Sequence, residues 1–203
     1  MIAAALLSAS LAAAPARAAH APDLVDAVTL VPDAVVDLRY ATPDNVTGRP
    51  LYRIARCLLL RPVAERLARA ADRLRAKGFR VRLWDCYRPL SVQRALWAAY
   101  PRRGYVADPD HGGSHHNRGA AVDVALAAAD GGEVPLPTGF DAFGPEAHAW
   151  APGLPRAARA NRDRLRRAME AEGFKVNPME WWHFDAPEAE GAPLLDVAIE
   201  PGS

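Results

Sequence analysis

The stretch SHHNRGAAVDV, residues 114–124, sets two histidines, a glycine and one carboxylate among very small side chains. Ala120, Val122, Val124 and Leu126 alternate onto one face of a predicted strand, and Ala121, Asp123 and Ala125 share the other. A lone carboxylate is costly to bury there, so it needs a cation or hydrogen-bond donors. The small neighbours predict room for a bound ion and for whatever the ion acts on. His116 stands seven residues before Asp123. A straight strand would hold the two about 23 Å apart and a continuous helix about 10 Å apart. One ion needs each ligand atom within about 2 Å of itself. The chain must therefore bend between them, and Asn117-Arg118-Gly119 is turn material. Spacing alone serves His115 as well as His116.

Two ligands do not make a zinc site. The strongest third candidate is His183, in EWWHF (residues 180–184), with Glu180 three positions before it. Imidazole and carboxylate oxygen suit a zinc ion that keeps one position for water. Water on such an ion loses its proton near neutral pH, and a neighbouring carboxylate can take that proton and pass it on. Glu180 is the candidate for that base. Residues three apart on a regular strand face opposite ways, so a bulge or turn is expected between Glu180 and His183. Taken singly these residues have ordinary readings: Asp123 capping a turn or pairing with Arg118, a histidine packed in the core. The combination Ser-x-His-x-x-Gly-x-Ala-x-Asp with a later Glu-x-x-His is what points to metal chemistry.

SHHNRGAAVD together with EWWH resembles the zinc D-alanyl-D-alanine dipeptidases, the group that includes the vancomycin-resistance dipeptidase. The resemblance covers roughly residues 36–185 and includes DLRYATPDNVTGRPLY, WDCYRP and TGFDAFG. It implies that His116, Asp123 and His183 hold one zinc ion and that Glu180 is the catalytic base. His116 is preferred over His115 on the family's register. It also implies that Arg88, in WDCYRP, holds the oxyanion of the transition state, and that the fold is a compact α+β domain.

The arginine fits on physical grounds too. When water adds to a peptide carbonyl, negative charge grows on the oxygen, and a fixed guanidinium donates charge-assisted hydrogen bonds where that charge develops. A free dipeptide also carries an ammonium. Asp141 in TGFDAFG is the candidate to receive it, with Tyr40 and Ser114 as further candidates for the substrate pocket. The activity implied is hydrolysis of D-Ala-D-Ala to two D-alanines in cell-wall peptide turnover or salvage. The alternatives are a zinc D,D- or L,D-carboxypeptidase acting on longer wall peptides, and a non-catalytic wall-peptide binder. Glu180 and Arg88 argue against the last, since pure binding needs no general base. His111 and His148 fall in predicted loops and are assigned to no metal.

These residues need elements to position them. RPVAERLARAADRLRAKG puts Val63, Leu67, Ala70 and Leu74 at helical spacing with Gly78 as the stop. FRVRLWD alternates as a strand with one wet face. Ser91 is placed to cap a second helix carrying Val92, Leu96 and Tyr100. Pro101–Gly113 reads as a loop, and the Gly/Pro-dense passage Asp130–Pro155 as a longer loop that shapes a site. A third helix carries Leu165, Ala168 and Met169 and ends at Gly173, and FKVNPMEWWHFD closes the core with strand-prone residues. Helix and strand alternate without regular βαβ units. The expected class is α+β: one domain, helices packed on a small, mostly antiparallel sheet.

The chain of 203 residues suits one domain with a sizeable core. Its 25 Lys+Arg balance 24 Asp+Glu, which excludes the basic footprint of a nucleic-acid binder. The apolar run Ile2–Ala14 is too short to anchor in a bilayer and leads into Ala16-Arg17-Ala18, a small-x-small cleavage pattern. Residues 1–18 therefore read as a removable secretory signal, though no Lys or Arg precedes the run, and residues 19–203 as the dipeptidase domain. No membrane span is expected in the mature chain, and the expected location is periplasmic. That departs from the cytoplasmic setting of the resistance enzyme and favours salvage. Export also gives Cys57 and Cys86 a reading as a disulfide, the alternative being two separate buried thiols.

Overall fold

A computed structural model describes residues 23–201. In chain order its strands are β1 (Leu24–Asp26), β2 (Val35–Val36), β3 (Leu58–Leu60), β4 (Phe79–Asp85), β5 (Ala121–Ala128), β6 (Lys175–Asn177) and β7 (Glu180–Asp185). The helices are α1 (Arg61–Arg75), α2 (Leu90–Ala99) and α3 (Arg156–Glu170). The stretch read as a secretory signal, residues 1–18, lies outside the described residues. Among the described residues no helix is long and apolar enough to cross a membrane.

The main sheet runs β2-β4-β5-β7-β6. Only β2 pairs in parallel; the other three pairings are antiparallel, and β1 and β3 form a separate antiparallel ribbon. The class is α+β, as the alternation of patterns predicts. β1, β2 and β3 have no counterpart in the sequence reading, because strands of two or three residues are too short to show a period.

Helix α1 buries Val63, Leu67, Ala70 and Leu74, the four positions that its spacing selects. Helix α3 buries Leu165, Ala168 and Met169. The two helices pack on each other and on the sheet, closing one core with Val81, Leu83, Val122, Val124, Leu126 and Phe184. Each fully buried Leu or Phe contributes about 1.5–3 kcal/mol relative to leaving it exposed. β5 is the middle strand of five and is buried on both faces, so the candidate site it carries rests on the centre of the sheet.

Two expectations need correction, and a third gains detail. Ser91 does not cap α2: Pro89 occupies the cap position with no side-chain bond, and Ser91 N–H instead donates to Asp196 Oδ1 at 2.8 Å. A proline fixed near the required φ starts the helix without a capping oxygen. FKVNPMEWWHFD is two strands and a turn, because Pro178 has no N–H to continue β6. The alanines beside Asp123 do not open space for substrate: Ala121 and Ala125 are fully buried, and neither lines the cavity. Their small size serves close packing instead.

Cys57 and Cys86 are joined in a disulfide. It closes a loop across 29 residues and ties the end of β4 to the segment before β3. A cross-link of that span removes about 3–4 kcal/mol of unfolded-chain entropy.

Candidate active site

His116, Asp123 and His183 converge, and local chemistry explains how. His115–Arg118 form one 3-10 turn. Ser114 Oγ accepts from His116 N–H at 3.2 Å, and Ser114 N–H donates to Asn117 Oδ1 at 2.7 Å. Gly119 then reverses the chain at φ 65. A Cβ there would sit 2.7 Å from Leu24 Cδ2 and 3.3 Å from the Leu60 amide nitrogen, so glycine is needed for space as well as for conformation. The turn brings His116 back over β5, where Asp123 is the register partner of His183 on β7.

His116 Nε2 lies 3.1 Å from His183 Nδ1 and 3.3 Å from Asp123 Oδ1, and His183 Nδ1 lies 3.0 Å from Asp123 Oδ1. The outer atom of each ring fixes its tautomer. His116 Nδ1 is 2.7 Å from the Cys86 carbonyl, which can only accept. His183 Nε2 is 2.9 Å from Asp185 Oδ1. Each neutral ring therefore turns a lone pair inward, toward the carboxylate. Three lone pairs this close repel unless a proton or a cation lies among them. Arms of about 2.0–2.1 Å at the tetrahedral angle give edges of about 3.3 Å, so the donor set and its spacing fit a zinc ion. Where a proton takes that place, the charge and N–H bonds of the protonated imidazoles outweigh the effect of burial, which alone would push the Asp123 carboxyl up, and hold the group well below the usual carboxylate range.

Glu180 opens β7 beside a register shift in the β6–β7 pairing, where Asn177 pairs with Glu180. That irregularity is what allows Glu180 and His183, three apart, to reach one cavity. Glu180 Oε2 stands 4.0 Å from His183 Nδ1 and accepts from Asn177 Nδ2 at 3.2 Å. Burial pushes its carboxyl up to about 8, against the opposing pull of His183.

Arg88 is buried and tightly oriented. Its Nε and Nη2 donate to Asp85 Oδ2 at 3.0 and 2.5 Å, and its Nη1 donates to Gln93 Oε1 at 2.7 Å. The guanidinium carbon lies 4.8 Å from the centre of the Tyr40 ring, a cation–π contact. Asp85 also accepts from Tyr52 OH at 2.6 Å. A guanidinium has five N–H groups, so this framework leaves part of the fork for a ligand.

Asp141 lies in the long loop at φ 55, the left-handed region that a non-glycine residue seldom occupies. It accepts from Tyr40 OH at 3.2 Å and from Val46 N–H at 3.1 Å. Burial pushes its carboxyl up to about 7.

His116, Asp123, His183, Glu180, Arg88 and Asp141 line one cavity of about 330 Å³, together with Phe143 of the long loop and Tyr105 of the Pro101–Gly113 loop. The Asp130–Pro155 passage does shape a site. Tyr40, Ser114 and Asp141 are on its wall; Tyr40 OH donates to Asp141, and Ser114 Oγ accepts from His116 N–H in the turn. His115 is on the wall but outside the ligand group. His111 is exposed beside Asp108, and neither it nor His148 reaches the cavity. Arg118 turns away from Asp123 and donates to the Ala192 and Gly112 carbonyls.

Sequence reasoning missed Asp85, Gln93, Tyr52, Asn177 and Asp185. Asp85 and Asp185 had a legible signal: one stands three residues before Arg88 in WDCYRP, the other two residues after His183 on the same strand face. Gln93 had none, because a polar residue in an amphipathic helix reads as solvated.

The chain matches, over residues 20–199, a family model described as "D-ala-D-ala dipeptidase". Similar proteins include the D-alanyl-D-alanine dipeptidase of Escherichia coli (strain K12), 39% identical over 185 residues, which are 89% of this chain and 95% of that protein. That of Enterococcus faecium is 35% identical over 172 residues, 73% of this chain and 83% of that protein. That of Streptomyces coelicolor is 36% identical over 179 residues, 75% and 85% of the two chains.

Proposed function

This chain belongs to the D-alanyl-D-alanine dipeptidase family of metallopeptidases, and from that premise we propose how its own residues carry the hydrolysis of D-Ala-D-Ala. His116 Nε2, Asp123 Oδ1 and His183 Nδ1 hold one zinc ion. The observation that carries this is the convergence of three inward lone pairs within 3.0–3.3 Å, with Glu180 and Arg88 on the same cavity wall.

When bound, zinc lowers the pKa of water and polarises the scissile carbonyl. Glu180 accepts the proton of the attacking water and delivers it to the leaving amine nitrogen. Arg88 donates to the carbonyl oxygen as its charge grows, and Asp85, Gln93 and Tyr40 keep the guanidinium from reorienting. Asp141 receives the substrate ammonium, which favours a free dipeptide over a longer chain.

We also read residues 1–18 as a secretory signal and the place of action as the periplasm. Support comes from the apolar run ahead of Ala16-Arg17-Ala18 and from the Cys57–Cys86 disulfide, a bond that oxidising compartments sustain. There the enzyme would salvage dipeptides released from the wall.

The test follows D-alanine release by the zinc-loaded protein from D-Ala-D-Ala and from its N-acetylated form, with Glu180→Ala as control. Cleavage of the free dipeptide alone, lost in the variant, is the expected result. Comparable cleavage of the acetylated form would replace the dipeptidase by a carboxypeptidase. Release by the variant at the wild-type rate would remove Glu180 from the mechanism.

A further inference from the structure

One half-buried carboxylate on the cavity wall has no part in the mechanism above. Asp185 ends β7, two residues after His183 and on the same face of the strand. Its backbone is paired on both sides, with Ala121 of β5 and Lys175 of β6. Its Oδ1 lies 2.9 Å from His183 Nε2 and 2.8 Å from His115 Nδ1. A carboxylate accepts and does not donate, so both imidazoles turn an N–H toward the same oxygen. His115 reaches it from the 3-10 turn that also delivers His116, and its ring is exposed on the cavity wall.

We propose that Asp185, held by His115, is a positioning residue for His183, and that the pair sets the metal affinity of the site. The bond from His183 Nε2 fixes which ring nitrogen carries the proton and keeps the Nδ1 lone pair aimed at Asp123 and His116. A carboxylate partner also makes the ligating nitrogen a stronger donor. His115 acts through Asp185 alone: its Nδ1 is spent on that carboxylate, and it lies outside the convergent ligand group. The doublet His115-His116 thus divides its labour, one ring supporting a ligand and the next being one. The inference rests on His183 being a ligand, so its test must separate the two claims.

The experiment measures the zinc dissociation constant at fixed pH, by competition with a chromophoric chelator, for the wild type and five variants. Asp185→Asn should weaken binding by about 10–100-fold, the usual cost of removing such a partner. His115→Gln, a change at an exposed residue, should weaken it by less. The double variant should bind no more weakly than Asp185→Asn alone, because His115 has no route to the metal once the carboxylate is gone. Asp185→Glu should recover part of the loss, and the visible spectrum of the cobalt-loaded protein should shift in Asp185→Asn, which a purely structural role would not require. His116→Ala separates the claims. If it loses zinc while Asp185→Asn binds within twofold of the wild type, the positioning role falls and the ligand set stands. If His116→Ala binds as tightly as the wild type, the ligand set falls and the inference with it. Additive losses in the double variant would also overturn it.

Discussion

Asp85 and Asp123 are register partners across β4 and β5, and each carboxylate anchors one half of the site. Asp85 holds Arg88, while Asp123 stands between the two imidazoles. A register shift between Leu83 and Asp85 brings the two acids level. Two buried acids side by side would be unfavourable without cations, and each has its own: a guanidinium for one, the proposed metal position for the other. The pairing also sets the distance between the Asp85 carboxylate that orients Arg88 and the Asp123 carboxylate, since the two acids sit level on adjacent strands and both are buried.

Glu180→Gln keeps shape and removes the proton acceptor. The turnover number for D-Ala-D-Ala should fall by about 10²–10⁴-fold, the range for loss of a general base. Zinc content by elemental analysis should stay at one ion per chain, because Glu180 lies outside the ligand group. Loss of zinc along with activity would make it a ligand instead.

Arg88→Lys keeps a positive charge and loses the planar fork that Asp85 and Gln93 orient. Steady-state kinetics should show kcat lowered by about 10²–10³-fold with KM little changed, as expected for a donor that acts in the transition state. A rise confined to KM would show that Arg88 binds the ground state.

Asp141→Asn should raise KM for the free dipeptide. In the wild type KM should fall as pH rises through about 7, because burial pushes the Asp141 carboxyl to that value and only the ionised form pairs with an ammonium. The variant should lose this dependence. An unchanged KM and an unchanged pH profile would take Asp141 out of substrate binding.

Burial raises Glu180 to about 8 and Asp141 to about 7 in the folded chain without metal. In the unfolded chain both release their protons near pH 4. Between these limits the folded state binds more protons, so their contribution to stability is complete below about pH 4 and is lost as pH rises toward 8. Chelator-treated protein should therefore show a falling urea midpoint from about pH 5 to 8, and Glu180→Gln should flatten that slope. A midpoint that rises over this range would contradict the assignment.

The helices α1 and α3, the strands β4 and β5 and the need for a turn between His116 and Asp123 were all legible in the sequence. Each depends on short-range rules: the period of the apolar residues, the conformational freedom of Gly119, the cost of burying Asp123 alone. Contacts between residues far apart in the chain were not legible. Nothing in the sequence separates His115 from His116 without the family register. The fold separates them, because the Cys86 carbonyl, 30 residues away, takes His116 Nδ1, while Asp185 takes His115 Nδ1. Gln93 behind Arg88 and the irregularity that turns Glu180 into the cavity have the same origin. The chain by itself determined which chemistry is present. Tertiary structure decided which atom of each residue faces the point where the three converge, because a lone pair's direction is set by whatever accepts the opposite proton, and that partner is brought in by the fold.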